Sequence, residues 1–190
     1  MAQTGFMGRA FDEITEPMQK FITRQRMFFV ATSPLAGDGR VNVSPKGYDS
    51  FRVLDSGRVA YLDLTGSGAE TIAHLRENGR ITFMFCAFDG KPNIVRLYGQ
   101  GRVIRPGDDE WTELIDLFTG TDAAEGAVRS IVLARIDRTS TSCGYSVPLM
   151  DFGDERRRLL EWADNKSDDE LEAYWTDKNA QSIDGLPALG

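Results

Sequence analysis

One block near the middle of the chain, VAYLDLTGSGAETIAHLRENGRITFMFCAF from Val59 to Phe88, constrains the fold more than any other stretch. An apolar strand enters Thr65-Gly66-Ser67-Gly68, a short amphipathic helix follows, and a second apolar strand begins after Asn78-Gly79. Glycine lets a ligand approach the main chain closely, and a helix start offers unpaired N–H groups to an anion. The layout is that of a phosphate cradle. It is equally that of a plain structural turn, and the two readings stay open on this motif alone.

Hydrophobic periodicity extends the reading in both directions. Ile14, Met18, Phe21 and Ile22 recur at helical spacing, which predicts an amphipathic helix over Asp12–Arg26. Met27–Ser33 reads as a strand ended by Pro34, Gly37-Asp38-Gly39 as a hairpin turn, and Arg40–Ser44 as a strand interrupted by Pro45. Phe51–Leu54 resumes before the turn at Asp55-Ser56-Gly57, and Val59–Leu64 has one well-buried face. Ile72 and Leu75 face inward on the helix after the Gly loop, which Asn78-Gly79 stops. Ile81–Phe88 is almost continuously apolar, as a central strand is. Ile94–Ile104 is long enough to bend around Gly99-Gln100-Gly101. Asp108–Phe118 sets Trp111, Leu114, Ile115 and Phe118 on one helical face, and Ser130–Ser142 closes the β set.

The C-terminal part differs in character. Asp154–Asp164 and Ser167–Lys178 are charge-rich helical candidates, and Ser167-Asp168-Asp169-Glu170 has the form of a capping box. Leu159, Leu160, Leu171, Tyr174 and Trp175 supply apolar surface for docking. The expected organisation is therefore one domain over residues 1–150 with a docked helical extension over 151–190.

Charge and cysteine usage exclude several classes. A formal net charge of −7 argues against a non-specific nucleic-acid binder, which needs a basic face. No apolar run is long enough to span a membrane. The first residues, MAQTGFMGRAFDEITEP, lack the basic start and apolar core of a signal peptide, so the cytoplasm is the expected compartment. Cys86 lies in an apolar strand and reads as a core residue, while Cys143 follows a polar run. One histidine, no CxxC and no HExxH leave no conventional zinc site.

Short strands with one helix among them and no βαβ repeat point to a closed or partly closed β-barrel, mainly β within an α+β chain. The segments FFVATSP, GRVNVSPKGY, RVAYLDLTGSGAETIAHLRENGRITFMFCAF and VRLYGQGRVI together resemble the pyridoxamine 5′-phosphate oxidase-like family. CGYSVPLMDF and SIDGLP resemble an uncharacterised subgroup of it. The resemblance implies a six-stranded split barrel with flanking helices. It also implies a homodimer with flavin mononucleotide (FMN) held at the subunit interface. Carried over by position, Asn42, Val43, Ser44 and Lys46 lie on the strand facing the flavin ring. Thr65, Gly66, Ser67, Gly68 and Thr71 occupy the place of the phosphate loop, and Gln100 and Arg102 fall on a strand that adds ring contacts.

The sequence departs from that family at the loop. Flavin-binding members carry Arg and Lys there to meet the dianion. Thr65–Thr71 has no cation, and Glu70 repels phosphate; Lys46 and Arg52 are the candidates to reach in from neighbouring strands. His74 is a packing histidine or, in the sharper reading, an axial haem ligand. Arg156-Arg157-Arg158 reads as a solvated helix face, and Trp111, Trp162 and Trp175 as packing groups. Three functions follow: an FMN-dependent oxidoreductase acting on a small molecule, a haem or tetrapyrrole carrier without turnover, or a dimeric scaffold without cofactor. No evident acid–base residue stands out, which agrees best with chemistry carried by a cofactor. The C-terminal part also lacks the Arg- and His-containing segment implied for true pyridoxamine phosphate oxidases.

Overall fold

The structure, a computed structural model, describes residues 8–121, 123 and 128–189; the sequence reading of the first residues falls partly on 1–7, outside them. In chain order the elements are β1 (Ala10–Phe11), α1 (Glu16–Ile22), β2 (Phe28–Thr32), β3 (Asn42–Lys46), β4 (Phe51–Val53), β5 (Arg58–Leu64) and α2 (Glu70–Asn78). Then come β6 (Arg80–Cys86), β7 (Ile94–Ile104), α3 (Trp111–Asp116), β8 (Val128–Ser142), α4 (Arg158–Asp164) and α5 (Asp168–Lys178).

The strands form one antiparallel sheet in the order β3-β2-β6-β7-β8-β5-β4, with β1 added along β8. Its end strands, β3 and β4, are consecutive in sequence but do not pair, so the sheet curls without closing into a split barrel. Alternation puts Val30, Phe83, Leu97, Val132 and Tyr61, from five different strands, into one interior cluster. Phe28 is its aromatic hub, with ring centroids 4.9 Å from Phe51, 5.7 Å from Tyr61 and 5.7 Å from Phe85. On the outer side, Ala60, Leu62 and Ile131 pack against Leu114 and Phe118 of the α3 region.

The sheet has eight strands rather than the expected six. The two-residue β1 carries no pattern to read, and β4 is short. Pro45 does not interrupt β3: it lies inside the strand opposite Phe29. A proline survives there because β3 ends the sheet path, where the missing N–H costs no ladder bond. α1 is shorter than Asp12–Arg26 because its apolar residues, Met18, Phe21 and Ile22, all fall within Glu16–Ile22. Gly79 ends α2 in the left-handed conformation (φ 73°), its N–H donating to the Leu75 carbonyl. The expected bend in β7 is a register shift between Tyr98 and Gly99. A Cβ at Gly99 would sit 2.0 Å from the Arg135 carbonyl oxygen.

The capping box at Ser167 forms as read, its hydroxyl accepting from the Glu170 N–H while the Glu170 carboxylate accepts from the Ser167 N–H. After α5 the chain returns along α2. Ala188 packs with Ala69, Ile72 and Ala73, the Asp184 carboxylate accepts from the Arg40 N–H, and Arg76 donates to the Ala188 carbonyl. No described helix is long and apolar enough to cross a membrane.

Candidate functional site

Strand alternation sorts β3 into two faces. Asn42, Ser44 and Lys46 turn toward α2 and β5, while Val43 turns outward with 60% of its surface exposed. The Asn42 amide donates to the Thr71 hydroxyl at 3.1 Å and to the Ser44 hydroxyl at 3.3 Å. Lys46 donates to Asp63 at 3.4 Å. Beside them the Tyr61 hydroxyl is buried close to Thr71 and makes no well-formed hydrogen bond. Burial, reinforced by the Asp63 charge, pushes its pKa well above the usual phenol value. So Asn42, Ser44, Lys46 and Thr71 come together as one polar row, its ammonium, amide and hydroxyl donors suited to the oxygens and nitrogens of a planar heterocycle.

The centre of the site was not among the residues picked from sequence. Asp63 and Arg129 form a buried pair with side chains 1% and 4% exposed, Nε to carboxylate 2.7 Å. The β5–β8 register shifts after Asp63, which pairs with Ser130, while Leu64 pairs with Val128. Arg129 is the extra residue of that bulge and is thereby aimed at Asp63. Ser130 adds a hydroxyl donor at 3.1 Å. Burial alone would raise the Asp63 carboxyl, but the Arg129 and Lys46 charges and these hydrogen bonds outweigh it and hold the pKa below the usual range. Asp63 therefore stays ionised at neutral pH and is no general acid.

Arg129 reaches onward to the Gly loop and the C-terminal extension. It donates to the Gly66 and Gly68 carbonyls at 3.4 and 2.9 Å and to the Asn179 side-chain oxygen at 2.8 Å. Asn179 in turn donates to Gly66 O at 3.0 Å, and the Trp175 indole donates to the Thr65 hydroxyl at 2.9 Å. Thr65 and Gly66 are thus engaged with the extension, Gly68 with Arg129 of β8, and Ser67 is exposed at the tip of the loop. The signal available in sequence was a lone acid inside YLDL and a lone base beginning RSIVL, opposite charges in two apolar strands.

The remaining candidates lie apart. Gln100 is exposed on β7 and lines an outer-face groove of about 430 Å³ with Thr32, Thr82 and Tyr98. Arg102 pairs with Glu110 and borders a separate hollow of about 240 Å³ beside Arg76 and Ala188. Arg52 does not reach the Gly loop; it pairs with Asp49, donates to the Leu117 carbonyl and lies over the Phe118 ring. His74 is 1% exposed, with Nδ1 2.9 Å from the Thr32 hydroxyl. Burial lowers its pKa against the opposing pull of Glu70, Glu77 and Asp184. Enclosed in this way it serves packing, and iron could reach it only if the ring left the core.

Comparison with known proteins adds three findings. The pyridoxamine 5′-phosphate oxidase family model matches residues 14–136. The Aspergillus flavus pyridoxamine 5′-phosphate oxidase family protein ustO is 39% identical over 196 residues, covering 94% of this chain and 77% of that protein. Two solved structures share the fold. Group A Streptococcus HupZ has TM-score 0.55 at 21% identity, over 73% of this chain and 99% of its own. An FMN-binding protein from Syntrophomonas wolfei has TM-score 0.51 at 14% identity, over 70% of this chain and 85% of its own.

Proposed function

Since the chain belongs to the pyridoxamine 5′-phosphate oxidase family, we propose that it is a flavin-dependent oxidoreductase that seats its flavin against β3. The observation that carries this reading is the polar row itself. Asn42, Ser44 and Lys46 of β3 line up with Thr71 of α2, and the Lys46 ammonium lies 5.9 Å from the centroid of the Tyr61 ring. The S. wolfei protein of the same fold, named as FMN-binding, supports the choice of ligand.

A flavin, when bound, supplies two-electron redox chemistry; the chain supplies placement. Lys46 is held at 3.4 Å from Asp63 and keeps N–H donors for an electron-rich ligand oxygen. Asn42, its amide donors engaged with Thr71 and Ser44, orients those two hydroxyls, which rotate to donate or accept. Asp63, ionised and enclosed, positions the Lys46 side chain through their ion pair at 3.4 Å.

We further propose that a second copy covers the outer sheet face. There the cross-strand rows Pro45–Phe29–Met84 and Val43–Ala31–Thr82–Tyr98 present apolar side chains that one copy leaves partly open. Absorbance titration with FMN tests the main reading. A saturable spectral shift at one flavin per chain is expected, weakened about tenfold by Lys46→Ala, as loss of a charged hydrogen bond predicts. The absence of any shift in the wild-type chain would refute it and leave the cofactor-free scaffold, a reading favoured by the engagement of the Gly loop with the extension.

A further inference from the structure

The Gly loop looks like a phosphate cradle in sequence and is built the other way round in space. Its Gly66 and Gly68 carbonyls both point inward to the Arg129 guanidinium. Because a trans peptide sets N–H opposite to C=O, the N–H groups of Ser67 and Ala69 point away from the only cation close to the loop backbone among the described residues. That guanidinium has no capacity left for an anion. Nε–H goes to Asp63, the two N–H of one terminal nitrogen to Gly66 O and the Asn179 side chain, and the two of the other to Asp63 and Gly68 O. The position where an anion would meet the start of α2 is held by the chain's own carboxylate. A Cβ at Gly68 would lie 2.5 Å from Glu70 Oε2, and Glu70 Oε1 accepts from the Ile183 N–H at 3.2 Å.

We propose that the loop Thr65–Thr71 is the socket of the C-terminal extension and that Glu70 acts as a specificity residue there, turning away ligands that bring a phosphate to it. The ligand end approaching this loop is uncharged or cationic, and any phosphate on a flavin seated at β3 is held elsewhere or left in solvent. Three features carry this. The Glu70 carboxylate is placed at the N-terminal end of α2, where the helix dipole favours one negative charge and a second would meet repulsion. Trp175 and Asn179 hold the loop from the extension. The extension also seats its own backbone on this carboxylate, the Ile183 N–H donating to Glu70 at 3.2 Å.

The ligand preference rests on the flavin reading, whereas the socket does not, and the test separates them. The full-length chain, isotope-labelled, is titrated with FMN and with riboflavin while the amides of 67–70 are followed. Expected are equal shifts with both ligands at these amides, and a ratio of FMN to riboflavin affinity that rises about threefold in Glu70→Gln. Amide shifts produced by FMN and not by riboflavin, or an unchanged ratio in Glu70→Gln, would overturn the role of Glu70. If neither flavin binds, it is the flavin reading that falls. Hydrogen exchange then decides the socket: Trp175→Phe should speed exchange of the 66–69 amides about fivefold, the loss of one hydrogen bond, and Asn179→Ala, which loses two, by more. Unchanged exchange in both would refute the socket.

Discussion

Replacing Arg129 by methionine should be among the most damaging single changes to this protein, and damaging in a pH-dependent way. The substitution keeps apolar bulk on β8 but leaves the Asp63 carboxylate, 1% exposed, with only Lys46 at 3.4 Å and the Ser130 hydroxyl. Stranding one member of a buried ion pair costs about 3–5 kcal/mol. For a chain of this length each kcal/mol moves Tm by about 2–4 °C, so a fall of roughly 6–20 °C is expected. The sign with pH follows from Asp63. In the wild type its folded pKa is depressed, so its contribution is complete above the unfolded value, about 3.9, and is lost as pH falls through the folded value. Without Arg129 the burial that raises the carboxyl is no longer outweighed, and the folded state of the variant takes up a proton. The gap between wild type and variant should therefore be widest at pH 8 and narrow toward pH 4.5. Thermal unfolding by circular dichroism at both pH values reads this directly. Adding Asp63→Asn to the variant should recover part of the loss, since no uncompensated charge then remains. A gap under about 3 °C, or one that does not change with pH, would refute the reasoning.

Other expectations follow from single contacts. Gly99→Ala forces a Cβ onto the Arg135 carbonyl at 2.0 Å and should cost about 1–3 kcal/mol or more, read from urea midpoints; an unchanged midpoint would mean that β7 and β8 can separate there freely. His74 has a depressed folded pKa, so its share of stability is full above about 6.5 and falls on acidification; His74→Gln should flatten the Tm profile between pH 7 and 5. Cys86 is buried and its thiol pushed up by burial, so a thiol reagent should modify Cys143 and spare Cys86 until the chain unfolds. Early labelling of both would place Cys86 outside the core.

The fold was legible because its signals are local. The apolar run from Ile81 to Cys86, the stop at Asn78-Gly79, the bend at Gly99 and the capping box at Ser167 each need only a few neighbouring residues to read. Pro45 misled because its tolerance depends on which strand lies at the edge of the sheet, and that is a property of pairing order. The candidate site divides along the same line. Asn42, Ser44 and Lys46 alternate along one strand and were reachable by position. Asp63, Arg129 and Asn179 become neighbours only through the β5–β8 bulge and the return of the extension, and no window of sequence contains them together. The absence of a cation within Thr65–Thr71 is plain in sequence; the cation that serves the loop, Arg129, comes from another strand and faces carbonyls.

The clasp between Gly66 and Asn179 also sets an order of events during synthesis. These residues are 113 positions apart, so Gly66 leaves the ribosome long before its partner has been made. At about 5–20 residues per second the loop waits roughly 6–23 seconds for the extension. Over that interval α2 and the strands around it must fold with the loop unfastened, and nascent chains halted before Trp175 should expose 65–69 to protease. The part of the barrel that most resembles a ligand seat is thus fastened only after the strands around it have been made, when the extension arrives.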